Sequence, residues 1–135
     1  MAAKQFEYAA SLDAEGRLLA GGEAPLVPGE PWTPEHLVLA GLMRCTLKSL
    51  RFHAERANVS VRGGAAAEAI VGKRDEYGRY AFVEIECGLD VELDPLPEGD
   101  ALVELLDLAE RDCFVGASLK LSPRYEWRVN GELIR

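Results

Sequence analysis

The stretch AFVEIECGLDVEL, residues 81–93, alternates apolar side chains with mostly acidic ones. Residues two apart share one face of a strand, so this period of two predicts a long strand with one buried face. The residues predicted to share the buried face are Ala81, Val83, Ile85, Cys87, Leu89, Val91 and Leu93. Cys87 therefore reads as a thiol of the core.

A long helix is predicted upstream of this strand. Thr33-Pro34 combines an N-cap residue with proline at the first helical position, and Glu35 adds a carboxylate to the first turn. The helix is expected to run to about Ala57 and to stop at Asn58. Its first half, residues 37–43, is apolar on all sides, which predicts burial, whereas its second half is expected to emerge toward solvent.

Turn residues and shorter periodic segments place the other elements. Strands are expected at 6–12, 17–20, 59–71 and 125–129, helices at 100–111 and 113–119, and a loop at 21–32. The order β-β-α-β-β-α-α-β, with hairpin-length connections, favours an α+β fold of antiparallel strands over a parallel sheet. With 135 residues, the chain is expected to form one domain, residues 1–135.

Composition excludes several classes of protein. A net charge of −8 argues against nucleic acid and anionic membranes as partners. The longest apolar run is far shorter than a membrane span, and residues 1–10 lack the apolar core of a signal peptide, so a cytoplasmic location is expected. No spacing of His, Cys, Asp or Glu matches a metal site, and no phosphate-binding loop is present, so neither a metal nor a cofactor is expected.

Cys45 and Cys113 are the other two of three cysteines. Cys45 lies mid-helix, where it is either a core thiol or a reactive one whose pKa is lowered by the neighbouring cations Arg44, Lys48 and Arg51. Cys113 falls at a helix junction, where a helix N-terminus stabilises a thiolate. Cys45 and His53 are too far apart to act as a nucleophile and its base, because eight helical residues separate them by about 12 Å.

Four segments together resemble the OsmC/Ohr proteins, named for osmotically inducible protein C and organic hydroperoxide resistance. They are TPEHL leading to Cys45, SLRFHAER at 49–56, AERDCFV at 109–115 with Ser118-Leu119, and the strand at 125–129. The resemblance covers roughly residues 33–130. It implies an OsmC-like fold, with antiparallel sheets wrapped around a long central helix in an intertwined homodimer.

The resemblance also implies a peroxidase without cofactor or metal. Cys45 would form a sulfenic acid on reducing an organic hydroperoxide, and Cys113 would resolve it to a disulfide. Glu35, ten residues before Cys45, would support Arg17, which would hold the thiolate. Because about 15 Å of continuous helix separates Glu35 from Cys45, either the helix breaks near Gly41 or the site is shared between subunits.

A dithiol reductant of the lipoyl type is the implied second substrate. Two other classes of protein stay open from the residues alone. One is a non-catalytic binding protein on the same fold, and the other is a thioesterase-like hydrolase, for which no nucleophile–base pair is visible.

Overall fold

The computed structural model describes residues 4–135. The first three residues of the predicted single domain, residues 1–135, lie outside the described residues. The chain divides into two compact units, residues 1–35 and residues 36–135. Of the helices in residues 4–135, none has the length and apolar character needed to cross a membrane.

The first unit holds a three-stranded antiparallel sheet. Its strands are β1 (Ala10–Leu12), β2 (Leu18–Ala20) and β3 (Glu23–Leu26), in that order. The predicted turn at 13–16 is confirmed, since Asp13 N–H donates to the Arg17 carbonyl and Gly16 N–H to the Asp13 carbonyl.

Two expectations for this unit were wrong. The first strand covers only the end of 6–12, and the predicted loop at 21–32 contains β3. Gly21 and Gly22 link β2 to β3 with φ values of 61° and 85°. Two adjacent residues at positive φ form the tight turn that suits a hairpin, and a Gly-Gly pair was the signal for it.

Helix α1 spans Pro34–Arg56 without interruption, which confirms the long helix and leaves no break near Gly41. It stops as predicted at Asn58, whose φ is 58°. Asn58 N–H donates to the Glu55 carbonyl and Val59 N–H donates to the Ala54 carbonyl. These two bonds around a left-handed residue are a Schellman motif, which satisfies carbonyls that the helix end would leave free.

The second unit contains a four-stranded sheet with the order β4-β5-β6-β7. The strands are β4 (Ser60–Lys73), β5 (Tyr80–Asp94), β6 (Arg124–Val129) and β7 (Glu132–Leu133). The pairs β4–β5 and β6–β7 are antiparallel, but β5 and β6 are parallel, which departs from the expected all-antiparallel arrangement. The physical reason is the connection at 95–123, because its two helices carry the chain back to the starting end of β5.

The last strand, β7, was not predicted from the sequence, although Asn130-Gly131 marks the turn before it. Both residues have positive φ, 50° and 83°, and Val129 pairs with Glu132 across them. An Asn-Gly pair in this conformation is the turn favoured in two-residue hairpins.

The alternation that predicted β5 is confirmed from Ile85 to Leu93, whose odd-numbered residues are at most 2% exposed. It fails at Val83, which is 38% exposed. The register shifts where Ile70 pairs with Glu84 and Val71 pairs with Phe82. This irregularity skips Val83 and turns Phe82 toward the core, as a β-bulge does.

The core of the second unit lies between this sheet, α1 and α2 (Gly99–Arg111), with the short α3 (Phe114–Ser118) beside it. Its fully buried side chains include Leu42, Leu50, Leu106 and Trp127. The predicted burial of residues 37–43 is met only by Leu42, and the others are half-buried. Within the described residues, only one side of this segment has core neighbours.

Candidate active site

Cys45 lies half-buried in the middle of α1, beside the fully buried Leu42 and Thr46. Its position on the edge of the buried helix face turns the thiol toward the junction of α2 and α3. There the Val115 N–H donates to Cys45 Sγ over 3.5 Å, and the Phe114 N–H is a second donor. These groups belong to the first turn of α3, where backbone N–H groups lack helical partners.

Cys113 is the N-cap of α3 and is fully buried. Its backbone is extended, with φ −77° and ψ 106°, and Gly116 N–H donates to its Sγ over 3.4 Å. The thiol thus takes the place that a serine or threonine oxygen occupies in an ordinary N-cap. Sequence reasoning expected a helix junction here, and this expectation is confirmed.

The two thiols lie close together, because Val115 N–H and Gly116 N–H, in the same turn of α3, reach Cys45 Sγ and Cys113 Sγ respectively. Burial raises the pKa of Cys45, and Cys113 raises it further, whereas the Val115 and Phe114 N–H groups lower it. None of these influences within the described chain is a cation. Arg44, Lys48 and Arg51 are all exposed, so the suggested lowering of the Cys45 pKa by these residues is not seen.

Cys87 lies on β5, directly across from Tyr125 in the parallel register with β6. It is 1% exposed, as expected for a core thiol. Burial raises its pKa to about 11, with a smaller contribution from Cys113.

Thr46 and Tyr125 complete the surroundings of Cys113, and sequence reasoning missed both. Thr46 Oγ1 is 3.4 Å from Cys113 Sγ, and the Tyr125 side chain lies near both residues. Burial and the neighbouring Cys113 raise the pKa of Tyr125. The position of Thr46 directly after Cys45 was visible in the sequence, but its contact with a residue 67 positions away was not.

The predicted supporting pair, Arg17 and Glu35, belongs to the first unit. Arg17 Nε donates to Asp13 Oδ2 over 2.6 Å across the β1–β2 turn. Glu35 is exposed in the first turn of α1. Their assignment to the site stays a prediction.

A polar cluster that the sequence did not indicate lies next to Cys113. His53 Nε2 is 2.7 Å from Asp112 Oδ2, and Arg111 donates to both oxygens of the same carboxylate. Arg111 is the main reason that the pKa of Asp112 is lowered. This cluster links the end of α1 to the end of α2, where the chain turns toward Cys113.

A second polar link holds the other side of α2. Trp127 Nε1 donates to Glu110 Oε2 over 2.7 Å, and Arg135 donates to the same oxygen over 2.8 Å. Arg135 also pairs with Asp107. Among residues 4–135, no group of His, Cys, Asp and Glu side chains is arranged to hold a metal ion.

Known structures share this fold. An OsmC-like protein from Vibrio cholerae is 16% identical with a TM-score of 0.75, and the match covers 91% of this chain and 99% of that one. An organic hydroperoxide resistance protein from Elizabethkingia anophelis, with thiocyanate bound, is 16% identical with a TM-score of 0.64 over 93% and 96% of the two chains. One from Legionella pneumophila, named OsmC, is 19% identical with a TM-score of 0.58 over 96% and 98%.

At these identities the likeness shows the fold, and the predicted OsmC-like α+β fold is confirmed. Comparison with curated proteins gives no match. The family described as OsmC-like protein matches residues 27–128, which is most of the sequence and includes both Cys45 and Cys113. The chain therefore belongs to the OsmC-like protein family.

Proposed function

We propose that this protein is a thiol-dependent peroxidase that reduces organic hydroperoxides through Cys45, with Cys113 as the resolving thiol. The observation that carries the proposal is the contact of these two thiols under backbone N–H donors at the start of α3. Several similar structures are named organic hydroperoxide resistance proteins, which supports a peroxide-related role.

The chemistry proceeds in two steps at this pair. The Cys45 thiolate attacks the hydroperoxide, the O–O bond breaks, and the products are a Cys45 sulfenic acid and, after proton uptake, an alcohol. The Val115 and Phe114 N–H groups face the Cys45 sulfur and stabilise its negative charge before attack. Cys113 then displaces hydroxide from the sulfenic acid to give a disulfide, which an external dithiol of the lipoyl type reduces.

Ionisation of Cys45 requires a cation that its immediate neighbours do not supply, since burial raises its pKa. We assign this role to Arg17, supported by Glu35, in a site shared between two subunits of a homodimer. The continuous α1 helix favours this sharing, because it excludes the break near Gly41 that would bring Glu35 toward Cys45. The half-buried apolar residues at 37–41 give such a dimer an apolar surface.

The surroundings of the thiols favour organic hydroperoxides over hydrogen peroxide. Leu42 is fully buried, Met43 is half-buried, and the exposed Phe114 lies at the start of α3 beside Cys45. Apolar side chains at a site bind the organic part of a hydroperoxide, and hydrogen peroxide has no such part.

We place the protein in the cytoplasm as a single functional domain.

A non-catalytic binding protein is the second candidate. The observation that favours it is the raised pKa of Cys45, because a protonated thiol is a weak nucleophile. In that case, Cys45 and Cys113 would be packing residues of a binding site on the same fold.

Peptide mass spectrometry after one equivalent of cumene hydroperoxide separates the two candidates. The peroxidase is expected to form a Cys45–Cys113 disulfide rapidly, to leave Cys87 reduced, and to form no disulfide after Cys45→Ser. Thiols that stay reduced under several equivalents of cumene hydroperoxide would contradict the peroxidase and favour the binding protein.

A further inference from the structure

Thr46 is fully buried one helical position beyond Cys45, and its hydroxyl lies between two acceptors. Oγ1 is 2.9 Å from the Leu42 carbonyl oxygen and 3.4 Å from Cys113 Sγ. A hydroxyl has a single proton, so it can donate to only one of these acceptors at a time. Donation to the carbonyl four residues earlier is the ordinary behaviour of a helical threonine.

The alternative acceptor, Cys113 Sγ, becomes the stronger one when the thiol loses its proton. Hydrogen bonds to an ionised acceptor are roughly twice as strong as neutral ones. The Leu42 carbonyl is not left unsatisfied when Thr46 turns away, since the helix itself supplies an N–H four residues later. The Thr46 hydroxyl can therefore follow the charge on Cys113 at little cost.

A second donor is already directed at the same sulfur. Gly116 N–H donates to Cys113 Sγ over 3.4 Å. The approach depends on glycine, because a Cβ at this position would lie 2.8 Å from Tyr125 Oη and 3.4 Å from Cys113 Sγ. Tyr125, which lies near Thr46 and Cys113, closes the cluster on the side of β6.

We propose that Thr46 is a positioning residue for the resolving step, in which its hydroxyl, together with Gly116 N–H, holds the Cys113 sulfur beside Cys45 and stabilises its charge as it attacks. This inference rests on the proposed peroxidase for its role in turnover. The hydrogen bonds that it requires do not depend on peroxide.

The resolving step balances with the groups at hand. The Cys113 sulfur attacks the sulfur of the Cys45 sulfenic acid, the S–S bond forms and the S–O bond breaks. Hydroxide leaves and combines with the proton that Cys113 gave up, so water is the only other product. The oxidising equivalents come from the hydroperoxide that formed the sulfenic acid.

The first test measures attack by Cys113 on a sulfur at Cys45 without peroxide. In the full chain carrying Cys87→Ser, dithiobis(nitrobenzoate) converts Cys45 to a mixed disulfide, and Cys113 then displaces the second thionitrobenzoate, whose release is followed by absorbance at fixed pH. Adding Thr46→Val, which keeps the shape and removes the hydroxyl, is expected to slow this second release by about five- to tenfold. Thr46→Ser is expected to restore the original rate.

Ser49→Ala is the matched control. Ser49 lies three residues later on the same helix, is 7% exposed, and its Oγ has no hydrogen-bond partner among the described residues. Its removal is expected to leave the second release of thionitrobenzoate unchanged. A release rate that Thr46→Val does not lower, or that Ser49→Ala lowers equally, would overturn the proposal.

The second test follows the two chemical steps in the otherwise native protein. After one equivalent of cumene hydroperoxide, Thr46→Val is expected to form the Cys45 sulfenic acid within twofold of the native rate. Disulfide formation is expected to slow by about five- to tenfold. Equal slowing of both steps would contradict a role confined to Cys113. Absence of any sulfenic acid in the native protein would contradict the peroxidase and leave the result of the first test standing.

Discussion

Cys113 and Cys87 are equally hidden from solvent, but their surroundings differ in hydrogen-bond donors. Cys113 is 0% exposed with Gly116 N–H and Thr46 Oγ1 at its sulfur, whereas Cys87 is 1% exposed on the apolar face of β5. Among the described residues no donor faces the Cys87 sulfur, and burial raises its pKa to about 11. Burial alone therefore does not distinguish the proposed resolving thiol, Cys113, from the core thiol Cys87, but the hydrogen-bond donors around the two sulfurs do.

The largest expected effect tests whether hydroperoxide turnover depends on Cys45 and is independent of Cys87. Cys45→Ser is expected to lower hydroperoxide turnover by about 10³-fold or more, because it removes the proposed nucleophile. Cys87→Ala is expected to stay within about twofold of native turnover and to lose about 1–2 kcal/mol of stability through the small cavity. Hydroperoxide consumption with a dithiol reductant measures the first effect, and urea unfolding measures the second. A large loss of turnover in Cys87→Ala would contradict the interpretation of Cys87 as a core thiol without a role in turnover.

The next effect concerns the tight packing beside Cys113. Gly116→Ala places a methyl group 2.8 Å from Tyr125 Oη, so it is expected to destabilise the protein by about 2 kcal/mol. Gly64→Ala is the control, since a Cβ there meets nothing within 4 Å. Urea unfolding of both variants gives the difference. Equal stability of the two variants would mean that the α3 segment yields easily and does not fix the Cys113 sulfur.

The sequence predicted those features of the fold that depend on residues close together along the chain. The long helix, its stop at Asn58 and most of β5 followed from local patterns, because caps and periodicity act over a few residues. The contact of Cys45 with Cys113 came from family resemblance. Nothing local predicts Thr46 near Cys113 or His53 near Asp112, since the helices that carry them are packed together by the whole core.

The two hairpins that were not predicted have local signals of their own in the sequence. Gly21-Gly22 and Asn130-Gly131 are both two-residue turns at positive φ. The parallel pairing of β5 with β6 had no such signal, because it depends on where α2 and α3 return the chain. The errors thus divide into turn residues that were overlooked and long-range pairings that no short pattern encodes.

Unfolding at alkaline pH tests the raised pKa of the Cys87 thiol. The pKa of Cys87 is about 11 in the folded protein, compared with 9.0 for an unperturbed thiol. Above pH 9, the unfolded chain loses this proton before the folded one does. The contribution of the protonated Cys87 thiol to the free energy of unfolding is therefore intact below pH 9. This contribution falls by up to about 1.4 kcal/mol per pH unit as pH rises toward 11. Urea unfolding at pH 8, 9 and 10 is expected to show a steeper decline for the native protein than for Cys87→Ala, and parallel curves would contradict the raised pKa.

The smallest expected effect comes from Asp112, which joins the Cys113 region to the end of α1. Its pKa is lowered, mainly by Arg111 and further by His53, so its contribution is present above the unperturbed value of 3.8 and is lost as pH falls through the folded pKa. Because Asp112 is 35% exposed, solvent screens these contacts, and Asp112→Asn is expected to cost less than about 1 kcal/mol at pH 7. Urea unfolding between pH 3 and pH 7 is expected to show this difference shrinking at the acid end. A difference that is constant with pH would mean that the asparagine disturbs packing at the α2–α3 junction and that the charge of Asp112 contributes nothing to holding Cys113 in place.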